Sequence, residues 1–210
     1  MENEMDIKHL LELSSRDHKH LCPRQILGVR IGLKGMAESN LDNIVRKKQL
    51  LVISETDGCF IDGLIAATNC TIGHRTMRIE DYGKTAATFV NIETGRAMRV
   101  TTVVDIRERA ETYTPEEPRH YFAQLQAYQE MTDDEMMTVQ EVVLNTPITR
   151  IVSHSGVRLN CDRCGEEIMN EREVLIEGKH YCRSCAQGGY YRLEKADHNQ
   201  PGGKSFTPFY

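Results

Sequence analysis

A chain of 210 residues has room for one well-packed domain plus a small satellite. Its formal net charge of -5, with no long basic run, lacks the electrostatic footprint of a general nucleic-acid binder, although a local patch stays open. The acidic opening and the lack of roughly eighteen consecutive apolar residues argue against a secretion signal or a membrane span. Seven cysteines, four of them in two C-x-x-C pairs, fit metal binding better than disulfides, so a reducing, cytoplasmic setting is expected.

In chain order, Asp6 to Leu13 reads as a short amphipathic helix, with Ile7, Leu10 and Leu11 at helical spacing. The loop S-S-R-D-H-K-H-L-C-P then feeds a second helix. Pro23 suits the first helical position, which makes Cys22 the expected N-cap. His18 and His20 lie just upstream, either able to share a ligand or a proton with Cys22; the plain alternative is two solvated histidines beside a capping cysteine.

The second helix, Pro23 to about Asn40, carries Gly28, Gly32 and Gly35 along one side. Each interior glycine costs about 0.5–1 kcal/mol relative to alanine, so the stripe needs a compensating close approach. The partner expected from the sequence is the small face Cys59, Gly63 and Ala66 of the next helix. If the two helices run parallel, both N-terminal thiols face one cleft. A strand or the second copy of a homodimer is the other candidate for the stripe.

Q-L-L-V-I-S at 49–54 reads as a buried strand, and E-T-D-G-C-F-I-D-G-L-I-A-A-T-N-C-T-I-G at 55–73 as a helix capped by Thr56 or Asp57. Phe60, Ile61, Leu64 and Ile65 form its core face. Cys59, Asp62, Gly63, Ala66 and Cys70 form the other. Along an unbroken helix Cys59 and Cys70 stand roughly 16 Å apart, too far for one mononuclear metal. Cys59 is the better candidate because the free amides of a first turn favour thiolate; the bland reading of either cysteine is a small buried packing group.

Next, His74, Arg75, Arg78 and Lys84 mark a polar loop that either holds a carboxylate or phosphate or is merely solvated. Two β-rich runs around E-T-G-R predict a hairpin. Beyond Pro115 and Pro118, residues 120–130 read as a helix with Tyr121, Leu125 and Tyr128 on one side. Thr132-x-x-Glu135 is a capping box before a further strand. After Pro147, T-R-I-V-S-H-S-G-V-R-L reads as an extended exit from a core domain of residues 1–155.

Residues 156–192 form the satellite. Cys161-Asp-Arg-Cys164 and Cys182-Arg-Ser-Cys185, with V-L-I-E-G-K-H-Y between them, match two knuckles joined by a hairpin around one tetrahedral zinc. Four thiolates leave no open position, so this zinc is structural. A redox dithiol or an iron–sulfur site fits the hairpin less well. His180 is adjacent but surplus, and residues 193–210 read as a loosely held tail.

Several of these pieces resemble the FmdE family of formylmethanofuran dehydrogenase: H-K-H-L-C-P at 18–23, E-T-D-G-C-F-I-D-G at 55–63, C-T-I-G at 70–73, D-Y-G-K at 81–84 and the M-R-V after the hairpin turn. The resemblance implies an α+β fold, helix-strand-helix followed by antiparallel strands in a mixed sheet, with a small C-terminal C4 zinc-ribbon or treble-clef-like domain as an accessory. It implies kinship with the molybdenum or tungsten enzyme that reduces carbon dioxide onto an amine carrier, larger molybdopterin subunits as partners, and a homodimer. Carried over by position, the family's thiols and histidine fall on His20, Cys22, Cys59 and Cys70. Arg24, Asn69 and His74 depart from its usual pattern.

The first expectation is therefore a cleft in which His20, Cys22 and Cys59 bind a second transition metal or a small-molecule ligand. Asp62 would orient that ligand, and Cys70, His74, Arg75 and Lys84 are candidate cofactor-binding positions. Zinc, iron and nickel all suit such donors. The competing expectation is a noncatalytic adaptor whose ribbon docks a larger enzyme; balanced acidic and basic residues between Val157 and Arg192 disfavour nucleic acid as its target.

Overall fold

The computed structural model describes residues 7–40, 49–152 and 155–191. The tail expected at 193–210 lies outside the described residues. Contacts divide the chain into two compact units, 1–148 and 149–210.

Within the first unit, α1 (Ile7–Ser15) and α2 (Pro23–Glu38) precede β1 (Leu50–Ser54) and α3 (Cys59–Thr68). Then come β2 (Met77–Ile79), the hairpin β3 (Ala86–Asn91) and β4 (Ala97–Thr102), α4 (Ile106–Tyr113), α5 (His120–Glu130), α6 (Asp133–Met136) and β5 (Met137–Val142). The strands form one mixed sheet in the order β2-β1-β3-β4-β5, with β1 and β2 parallel and the remaining pairs antiparallel. This is the α+β architecture expected. β3 is buried at every position, which is why A-A-T-F-V-N shows no polar alternation.

The glycine stripe of α2 serves two neighbours. A Cβ on Gly28 would fall 2.2 Å from the Phe60 carbonyl oxygen, and one on Gly63 would fall 2.3 Å from the Gln25 carbonyl oxygen. One turn on, a Cβ on Gly32 would meet Ala67 Cβ at 2.6 Å, whereas one on Gly35 would enter the Phe89 ring of β3. Residue numbers rise together along α2 and α3, so the helices run parallel and their N-termini are neighbours. The stripe that suggested a homodimer is thus filled inside the chain.

Cys22 is the N-cap of α2, as expected. Its amide donates to Gln25 Oε1 at 2.8 Å, and the buried Gln25 donates in turn to the Ser14 carbonyl at 2.6 Å, fixing the end of α1 to the start of α2. Arg30 of α2 donates to the Tyr128 and Met131 carbonyls at the end of α5 and pairs with Asp133 at 2.7 Å. These bonds answer carbonyls that a helix C-terminus leaves open.

Two local expectations differ from what forms. The N-cap of α3 is Gly58, at φ +71° and ψ -153°, and not Thr56 or Asp57. That conformation favours glycine, and Ser54 Oγ, donating to the Thr56 carbonyl at 2.7 Å, has already turned the chain. Residues 148–152 form a helix, α7 (Ile148–Val152), where an extended run was expected. Pro147 precedes the helix and presets its entry, while a short β-branched run is ambiguous by pattern alone.

The second unit is two small hairpins and a helical turn: β6 (Arg158–Asn160) with β7 (Glu167–Met169), β8 (Val174–Ile176) with β9 (Lys179–Tyr181), then α8 (Arg183–Gln187). Glu177 and Gly178, both at positive φ, make the tight turn between β8 and β9. Among the described residues no helix is long and apolar enough to cross a membrane.

Candidate metal centres

The first cysteine pair sits in the turn between β6 and β7, the second between β9 and α8. Gly165, at φ +78°, donates its amide to the Cys161 carbonyl, and the Cys161 amide donates to the Glu166 carbonyl, both at 2.9 Å. This folds the first knuckle back on itself. Asp162 and His180 then lock the knuckles together: the Asp162 amide donates to the His180 carbonyl at 2.8 Å, and the His180 amide to Asp162 Oδ2 at 2.6 Å. His180 is therefore a fastener through its backbone.

The result is four sulfurs within 4.8 Å of one another, with Cys164 and Cys182 3.9 Å apart. Sulfurs at the corners of a tetrahedron around zinc, each roughly 2.3 Å from it, stand about 3.8 Å apart, so the donor set fits a metal ion. Electrostatics agree. Burial opposes ionisation of Cys161, but the amides of Cys164, Cys182 and Arg163 outweigh it and hold the thiol at about 6. Burial and the neighbouring sulfurs push Cys164 and Cys185 up. One thiolate discourages the others until a cation compensates.

The core unit brings a different set together. Cys59 opens α3 and Asp62 follows one turn later on the same exposed side. His18, from the loop between α1 and α2, reaches across so that its Nε2 lies 2.9 Å from Asp62 Oδ2. The ligating atoms of His18, Cys59 and Asp62 all lie within 4.8 Å of one another. Cys22 hydrogen-bonds with Cys59 from the neighbouring helix start but falls outside that group of three. Burial first, then Cys22, pushes the Cys59 thiol up from its ordinary value. The sequence suggested the reverse; the helix amide that favours thiolate is outweighed by desolvation and a second sulfur. A bound cation would restore the thiolate.

The other sequence candidates fall elsewhere. His20 is exposed and does not join the group; His18, two residues earlier, does. Cys70 is a core thiol, 1% exposed, that contacts the Leu50 carbonyl at 3.7 Å beyond the far end of α3, and burial raises its pKa. His74 lies 3.1 Å from Thr71 Oγ1 within its own exposed loop, and Arg75 adopts the left-handed conformation there. Lys84 is exposed, its amide donating to the Glu55 carbonyl at 3.1 Å.

Two features carry no mark in the sequence pattern. Tyr121 of α5 donates its phenol proton to the Leu21 carbonyl at 3.2 Å, beside Cys22. Glu55, 8% exposed, accepts a two-pronged pair from Arg99 at 2.5 and 2.8 Å, while its carbonyl also takes the Tyr82 amide at 2.9 Å. The E-T-D-G, D-Y-G-K and M-R-V segments thus meet as the brace behind the β1–α3 turn that presents Cys59.

Fold and sites together define a class: an α+β domain in which two parallel helix starts carry a Cys, His and Asp cluster, joined to a unit with four cysteines able to hold a metal. Residues 18–173 match the family described as "FmdE, Molybdenum formylmethanofuran dehydrogenase operon", and the chain belongs to that family. The crystal structure of an FmdE-like protein of tungsten formylmethanofuran dehydrogenase, from Syntrophus aciditrophicus, shares the fold, with a TM-score of 0.55 at 19% identity over 89% of this chain and 95% of that one. A curated relative from Archaeoglobus fulgidus, named a probable S-adenosyl-L-methionine-binding protein, is 27% identical over 210 residues, 89% of this chain and 55% of its own length. The chain spans about half the length of that relative.

Proposed function

We propose that this FmdE-family chain is a metal-binding protein, a subunit or relative of the molybdenum or tungsten formylmethanofuran dehydrogenase, whose core cluster holds a transition metal that takes a small ligand. The observation carrying this reading is the convergence of His18, Cys59 and Asp62 donor atoms within 4.8 Å on one exposed side. Imidazole, thiolate and carboxylate together suit zinc, iron or nickel. Three protein donors leave a tetrahedral ion one position for Cys22 or for an exogenous ligand, whereas four cysteines close the C-terminal site, which we assign to structural zinc. A reducing cytoplasm keeps these thiols available, and the family supports association with a dehydrogenase complex.

Metal analysis of the full chain tests this reading. Two equivalents per chain are expected, falling to one in Cys59→Ser. A single equivalent that survives the Cys22→Ser, Cys59→Ser double variant and is lost in Cys161→Ser would remove the core site. The adaptor reading then gains, favoured by Leu175 and Tyr190, 63% and 99% exposed on the C-terminal unit.

A further inference from the structure

Tyr121 comes from α5, about a hundred residues beyond the cysteine it neighbours, and no motif marks it. Its ring is held by an edge-to-face contact with Phe122, centroids 5.3 Å apart, and Phe122 is itself covered by the Arg119 guanidinium at 4.0 Å. Its oxygen is fixed at 3.2 Å from the Leu21 carbonyl. A carbonyl cannot donate, so the single phenolic proton is committed there, and the remaining capacity of that oxygen is to accept. Burial, then the charges of Cys22 and Cys59, push the phenol up from its ordinary value. The group therefore stays protonated at neutral pH, within the field of the two sulfurs that mark the core site.

We propose that Tyr121 is a specificity-determining residue of the core metal site, selecting a neutral exogenous ligand that carries a hydrogen on its coordinating atom, such as water, an alcohol or an amine. Anions without such a hydrogen meet only lone pairs. This rests on the metal reading given above, and it adds which ligands the open position takes. Tyr121 is 41% exposed, so water competes for the phenol oxygen and the discrimination is modest.

Cobalt(II)-loaded full-length protein tests the assignment, with the core-site absorption isolated by subtracting the spectrum of Cys59→Ser. Ammonia in alkaline buffer and azide are titrated against that band in the wild type and in Tyr121→Phe, which keeps the ring and its packing. The variant should load cobalt normally, bind ammonia about three- to tenfold more weakly, and bind azide as before or slightly better. Equal losses for both ligands, no change for either, or loss of the cobalt band in Tyr121→Phe would each overturn the selective role. If the wild type and Cys59→Ser spectra coincide, the core metal reading itself fails and this assignment falls with it.

Discussion

The two candidate centres are built in opposite ways. The C-terminal one draws four identical ligands from a span of twenty-five residues, Cys161 to Cys185, on hairpins too short to bury a core of their own. The core one draws three different ligands from a loop and a helix start and rests on a packed sheet and helix pair. In the first, the metal makes the fold; in the second, the fold makes the site. The consequence is that removing ligands should unfold one and merely empty the other.

The largest effect should follow Cys161→Ser. Structural zinc contributes on the order of 10 kcal/mol to folding of such small modules, so losing a ligand should leave residues 158–187 without stable structure. Limited proteolysis should cut between Arg158 and Gln187 while α1 to β5 stay resistant. Resistance of the whole chain after the substitution would mean that the second unit holds itself by packing, and the contrast would break.

Second in size is Gly63→Ala. The added methyl would stand 2.3 Å from the Gln25 carbonyl and 2.7 Å from the Val29 amide nitrogen, both backbone atoms in a helix that cannot yield at one point. Parting α2 from α3 should cost about 3 kcal/mol, a fall in Tm of about 6–12 °C for a unit of this size, measured by calorimetry. The two helix starts would part, so one metal equivalent, that of the core, should be lost while the four-cysteine site keeps its own.

The same contrast sets what the sequence could say. Spacing is local, so the knuckles, the β3–β4 hairpin, the Cys22 cap and the glycine stripe could be read directly. Parallel packing of α2 and α3 needed one further step, from small residues to close approach. What stayed hidden depends on register and on loop path. Arg99 meets Glu55 because β3 pairs with β1 on one side and β4 on the other, with Thr88 opposite Arg99, a relation no single-strand pattern carries. Tyr121 is remote in sequence, and Gly58 caps α3 through a backbone angle and not through a side chain. Carrying a family's histidine over by position settled on His20, because H-K-H offers two imidazoles and only the turn after α1 decides which one points at α3.

That last choice gives the finest test of the contrast. The His18 amide donates to the Ser15 carbonyl at 2.9 Å, so the turn that ends α1 also sets the imidazole's direction, and Asp62 receives it at 2.9 Å. Both side chains are more than a third exposed, so the pair itself adds little to stability, and His18→Ala should leave Tm nearly unchanged. Its effect should appear only as weaker metal binding at the core, by about ten- to a hundredfold if one of three protein ligands is gone. His20→Ala should change neither. Competition with a colorimetric chelator, read on variants that retain the four C-terminal cysteines, separates the two histidines. If His20→Ala weakens the core site while His18→Ala does not, the loop must refold around the metal, and the fold no longer makes that site in advance.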